Sequence, residues 1–203
     1  MKRKIVVTVC VLAMTAISFG DVVIGDFEGS MDGWEMQNGA IGTFSTEGAT
    51  LGSNSLEVEF GPEWITVLKL SVADMAGDLP NLQTISFDIT TRNDNGELPD
   101  WWFQSHIIFN TETAGWQDSG DVYAHDVPWS PLTETLSWDV PQSIRDVIAT
   151  SGTGGWAEVF IVTNTSGATN TIWVDNVRMN IVPEPATLVL LGLGGLSLIR
   201  RKR

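Results

Sequence analysis

Between Asp21 and Val182 apolar residues alternate with polar ones, most plainly at Leu56, Val58 and Phe60 around Glu57 and Glu59, and at Ile85, Phe87 and Ile89 around Ser86 and Asp88. Successive side chains of a strand point to opposite faces, so a period of two marks a strand with one buried and one solvated face. The same reading predicts strands over Val22–Asp26, Trp34–Gln37, Ala40–Thr46, Trp64–Leu70, Trp101–Asn110, Thr133–Val140, Trp156–Thr163 and Thr171–Asn180. Clusters of Gly, Asn, Asp and Pro separate most of them. Only Gln142–Ala149 and Val72–Met75 read as helical, each about two turns at most. Many short strands divided by turn signals predict an all-β, two-sheet antiparallel sandwich. Thr111–Pro131 shows no strand period and is expected to be an ordered loop, because Trp116, Tyr123 and Trp129 give it something to pack.

The two ends follow other patterns. Lys2, Arg3 and Lys4 precede an apolar run from Ile5 to Ile17, and Ser18 and Gly20 place small residues just before Asp21. This is the order of a secretory signal peptide, so residues 1–20 are expected to be removed. At the other end, Val182-Pro183-Glu184-Pro185 leads into an apolar segment, Ala186–Ile199, and then Arg200-Arg201-Lys202-Arg203. As a helix that segment spans roughly 21 Å at about 1.5 Å per residue, short of a ~30 Å hydrocarbon core. Starting at Pro183 and letting the arginines snorkel makes insertion feasible, with the basic cluster cytoplasmic and the bulk of the protein outside. Pro183, Glu184 and Pro185, the Gly-containing run Leu191–Leu196 and the terminal basic cluster resemble the PEP-CTERM sorting signal. The resemblance covers residues 182–203. It implies export, recognition at Pro-Glu-Pro by a membrane protease of the exosortase type, and a setting in which exopolysaccharide is made.

Setting the ends aside changes the charge. Of 11 Lys and Arg residues only Lys69, Arg92, Arg145 and Arg178 remain, and of 25 Asp and Glu residues only Glu184 is lost, leaving 24 negative against 4 positive, a net of minus 20. A nucleic-acid partner is excluded. Crowded carboxylates call either for a salty exterior or for divalent cations between them. The sole cysteine, Cys10, lies in the signal peptide, so the remaining 21–181 domain has no disulfide, thiol nucleophile or zinc-thiolate site.

Gly25-Asp26-Phe27-Glu28-Gly29 with Gly33-Trp34, then Gly52-Ser53-Asn54-Ser55-Leu56, then Ile172-Trp173-Val174-Asp175-Asn176-Val177 together resemble the galactose-binding-like jelly roll of many carbohydrate-binding modules. The resemblance implies a structural calcium. Carried onto this chain, Asp26 or Glu28, a carbonyl near Gly52–Asn54, and Asp175 would hold it; oxygen ligands of this kind suit Ca2+.

All nine tryptophans lie inside the domain. Trp34, after a glycine turn, is expected to plug one end of the sandwich. Trp101 and Trp102 are adjacent on a strand and must point to opposite faces. Trp101, Phe103, Ile107 and Phe109 share one face; Trp102, Gln104, His106, Ile108 and Asn110 share the other. That mixed face suits a sugar, whose C–H surface stacks on an aromatic ring while its hydroxyls meet amide and imidazole groups. Asp88 and Arg92 are expected to complete it, with Trp116 and Trp129 as further platforms.

Catalytic patterns are missing. His106 and His125 belong to no His-Glu-x-x-His motif, and no Gly-x-Ser-x-Gly elbow or phosphate loop occurs. Three readings follow: a polysaccharide-binding envelope protein without catalysis, a structural envelope or matrix protein, and a small polysaccharide-active enzyme using two carboxylates. The first is the expectation.

Overall fold

The alternating segments become twelve strands in chain order: β1 (Gly20–Gly25), β2 (Glu35–Gln37), β3 (Ile41–Ser45), β4 (Ser55–Glu59), β5 (Ile65–Ser71), β6 (Leu82–Thr91), β7 (Trp102–Thr111), β8 (Gly115–Asp118), β9 (Tyr123–Asp126), β10 (Leu132–Asp139), β11 (Ala157–Thr165) and β12 (Thr171–Ile181). A helix, α1 (Gln142–Ser151), joins β10 to β11. The structure, a computed structural model, describes residues 20–59, 65–92, 102–126, 131–165 and 171–182, the side chains of 102, 123–126 and 165 excepted. Asp21–Ile181 packs as one compact unit. The expected signal segment and the tail from Pro183 lie outside the described residues.

Two antiparallel sheets form. The first runs β10-β6-β12-β4-β3, with β1 also paired to β12; the second runs β2-β5-β11-β7-β8, with β9 also paired to β7. Their inner faces are the apolar halves of the alternation: Leu56 and Val58, Ile85, Phe87 and Ile89, and Val174 from the first, against Leu68, Phe103, Ile107, Phe109, Val159 and Ile161 from the second, each 1% exposed or less. Side chains of this size stabilise by about 1.5–3 kcal/mol each when fully buried. The helix adds Ile144 and Ile148, one turn apart on a single face. Trp34, 3% exposed, donates its indole N–H to the Ile24 carbonyl at 2.8 Å, the plug expected of it.

One expectation is corrected. The stretch Thr111–Pro131 is not a plain loop: within it β8 and β9 pair with successive halves of β7, from Thr111↔Gly115 to Ile108↔Asp118 and from Ser105↔Tyr123 to Trp102↔Asp126. Residues 119–122 stand opposite only His106 and Ile107, so this border strand bulges in its middle. Ser119 and Val122 donate their amides to Ile107 and Ser105 carbonyls at 3.0 Å each, and Ser119 Oγ accepts the Ile107 amide. A strand paired on one side and broken by a bulge keeps no continuous period of two, so its sequence reads as loop.

Candidate functional site

A sandwich has two outer faces, and among the described residues they differ in what they leave exposed. On the first sheet, Asp88 of β6 and Asp175 of β12 sit opposite each other, 8% and 0% exposed. The segment after β3 folds over them. Asp175 Oδ2 accepts the amides of Thr50 at 2.6 Å and Leu51 at 2.7 Å, and its Oδ1 accepts the Asn176 amide at 2.6 Å. Asp88 accepts hydroxyls from Thr50 and Thr135, each at 2.6 Å, and the Asn176 side-chain amide at 2.8 Å. Every donor is neutral, and together they satisfy two adjacent buried carboxylates. Trp173, on the same outer face, is 2% exposed; its indole donates to Glu57 at 3.0 Å, and the Arg92 guanidinium, paired with Glu47, lies 4.9 Å from its ring centroid.

Gly48 lets the roof approach. It has φ +73°, and a Cβ there would collide with the Cβ of Trp173. Gly48→Ala is therefore expected to lower stability by about 1–2 kcal/mol, the cost of a left-handed conformation for a residue with a Cβ, as read from a urea midpoint that falls while the slope stays constant.

The second sheet's outer face is organised differently: its apolar side chains Val67, Ile108 and Phe160 are buried, at 9%, 5% and 6% exposed, while Trp116 at its border is open. Register places Lys69, Phe160, Ile108 and Asp118 in one row across β5, β11, β7 and β8; Val67, Val162 and His106 in the next; and Ile65, Asn164 and Gln104 beyond. Val67, Ile108 and Phe160 form an apolar cluster separate from the main core, with Ile65 and Val162 packed against it. Trp116, from the neighbouring row, is 57% exposed and tilts against Phe160 with ring centroids 4.9 Å apart. The result is an exposed indole beside an apolar floor, bordered by amides and charges. Lys69, on that border, contacts Glu35 at 3.0 Å and Glu158 at 3.6 Å; the hydrogen bond to Glu35, ahead of its charge and that of Glu158, raises the lysine's pKa above its ordinary value.

The expected site residues separate accordingly. Gln104, His106 and Trp116 come together on the open face, and the alternation assigned to β7 holds, since Phe103, Ile107 and Phe109 all point into the core. Trp102 opens β7, but its side chain, like the whole of Trp101 and Trp129, lies outside the described residues. Asp88 and Arg92 do not join this face: they belong to or follow β6 of the other sheet and serve its closed outer surface. His106 is also not open to a sugar hydroxyl. Its Nδ1 lies 3.0 Å from Asp118 and its Nε2 2.9 Å from Asp121, so both ring nitrogens are engaged. Phe160, Asn164 and Lys69 went unnoticed as site residues, because their strands' alternation carries no sign of which strand lies beside β7.

The calcium ligands implied by resemblance come near the expected loop in a different chemistry. Glu28 Oε1 accepts the amides of Ser53 at 2.5 Å and Asn54 at 2.6 Å, Asp26 Oδ1 accepts the Glu28 amide at 3.1 Å, and Asp175 takes the amides named above. These oxygens face N–H donors rather than carbonyl oxygens. Among the described residues no group of three or more His, Cys, Asp or Glu gathers as a metal site. One oxygen each of Glu28 and Asp26 and both of Asp175 are thus taken by N–H donors.

Residues 182–203 match the model of the PEP-CTERM protein-sorting motif. The chain carries a PEP-CTERM sorting signal. That signal marks an exported protein sorted through an exosortase. No curated protein matches the sequence. Solved structures do match the fold of this PEP-CTERM protein. The CBM22-1 xylan-binding domain of Paenibacillus barcinonensis Xyn10C is 14% identical, covering 82% of this chain and 95% of that one, with a TM-score of 0.51. The C-terminal family 22 carbohydrate-binding module of Clostridium thermocellum Xyn10B is 15% identical, covering 82% and 97%, with a TM-score of 0.53. A CBM28 module specific for non-crystalline cellulose is 18% identical, covering 78% and 93%, with a TM-score of 0.57. The jelly-roll sandwich of carbohydrate-binding modules is therefore the fold of the Asp21–Ile181 unit.

Proposed function

We propose that this exported protein binds polysaccharide noncovalently on the outer face of its second sheet and performs no chemistry there. The observation that carries the reading is the contrast between the two outer faces. On one the tryptophan is sealed, 2% exposed; on the other Trp116 is 57% exposed and rests on Phe160, which with Ile108 and Val67 is itself buried. A pyranose offers an apolar C–H face and a rim of hydroxyls; the exposed indole offers a stacking surface, and Asn110 opposite it, Glu158 beyond and Lys69 in the next row offer polar partners. The xylan-binding and cellulose-specific modules that share the fold support the same class of ligand. In this reading the tail holds the protein in the inner membrane until exosortase processing, and the sandwich then meets exopolysaccharide at the cell surface or in the matrix.

Retention of the full-length protein on a panel of insoluble and soluble polysaccharides tests the proposal. One glycan class is expected to retain it, with displacement by oligosaccharides of that class. Passage through the whole panel would overturn the reading in favour of a structural envelope or matrix protein.

A further inference from the structure

The bulge of the border strand lies directly against the open face. Residues 119–122 leave the ladder opposite His106 and Ile107, and His106 meets an aspartate where this departure begins and another within it. Asp118 closes β8 two residues after Trp116 and faces Nδ1 at 3.0 Å; Asp121 faces Nε2 at 2.9 Å. Asp118 also accepts the Gly120 amide at 2.8 Å, and Asp121 accepts from the Gln104 side chain. The imidazole thus ties the start of the bulge to its interior.

We propose that His106 is a positioning residue of this face: its ring, engaged at both nitrogens, clasps Asp118 and Asp121, holds the bulge closed, and so fixes the β8 strand that presents Trp116. The inference rests on the glycan-binding reading for its consequence, not for its geometry. Asp118 and Asp121 are the charged groups that meet the ring from the border strand. On β11, the strand packed along the other side of β7, Val162 stands opposite His106 with Asn164 beyond it, both uncharged. The flanking same-face residues of β7 itself, Gln104 and Ile108, are uncharged. Lys69, further across the sheet, is paired with Glu35 and Glu158.

The test compares full-length wild type with His106→Asn and His106→Gln, reading glycan retention and amide exchange at Gly120 and Val122. His106→Asn should be retained about tenfold more weakly and should exchange faster at those two amides while its urea midpoint stays near wild type. His106→Gln, whose longer amide side chain still reaches toward an aspartate, should recover part of both. Unchanged retention, or unchanged exchange at Gly120 and Val122, in His106→Asn would overturn the proposal. If the wild type binds no glycan at all, the functional reading fails, while the exchange arm still decides whether the clasp exists.

Discussion

Asp175→Ala is expected to unfold the domain or bring it close to unfolding. The carboxylate is fully buried and accepts three backbone amides, from Thr50, Leu51 and Asn176. Alanine would leave all three facing a void. A buried donor stripped of its acceptor costs about 1–3 kcal/mol, so the loss from three sums to roughly 3–9 kcal/mol, a large share of the ~5–15 kcal/mol by which domains are stable. Asp175→Asn separates charge from shape. Because both carboxylate oxygens accept amides, either orientation of the asparagine side chain turns its NH2 group toward a backbone N–H, and a smaller loss of about 1–3 kcal/mol is expected. Urea denaturation of the full-length variants reads both values. The same experiment decides the metal question: a ligand of the native state alone would raise stability by mass action. With the Glu28, Asp26 and Asp175 oxygens already met by N–H donors, the wild-type midpoint is expected to be the same in calcium and in chelator. A midpoint that falls in chelator would show that a cation, rather than the amides of residues 50–54, closes this junction.

How far the sequence revealed this arrangement depends on what a period of two can encode. It tells which side of a strand is dry, and so Phe103, Ile107 and Phe109 were legible as core and Gln104 and His106 as the opposite face. It does not tell which sheet a strand joins. Asp88 and Ser86 alternate with Ile85 and Phe87 as cleanly as Gln104 does with Phe103, yet β6 and β7 lie in different sheets, and Asp88 supports a roof instead of a ligand. Nor does it reveal what covers an outer face. Trp173 reads as outward from its neighbours Ile172 and Val174, and outward it is, but Gly48 allows the following segment to seal it. The contacts that define the open face, Trp116 on Phe160 and His106 between Asp118 and Asp121, cross strands or bridge a bulge. They depend on strand order and register, which local patterning does not contain. The tail, by contrast, was legible because its match rests on consecutive residues, 182–203, and needs neither strand order nor register.

Trp116→Ala should then abolish retention on whichever glycan holds the wild type, with the fold intact. The ring is 57% exposed and belongs to β8 at the border of the sheet, so its removal leaves Leu56, Phe87 and the rest of the core untouched. What goes is the platform over Phe160. Aromatic anchors of this kind are worth about 2 kcal/mol or more when truncated at an interface, equivalent to a loss of affinity of roughly thirtyfold. Trp116→Phe keeps a smaller ring and should recover part of the affinity, whereas Trp156→Ala, which removes another exposed indole (39% exposed), controls for nonspecific adhesion by surface aromatics. Frontal affinity measurement on the retaining glycan, with circular dichroism to confirm the sandwich, distinguishes the outcomes. Equal loss in Trp116→Ala and Trp156→Ala would mean that retention reflects general stickiness. Loss confined to Trp116→Ala would place the sugar on the exposed Trp116 ring at the border of the second sheet.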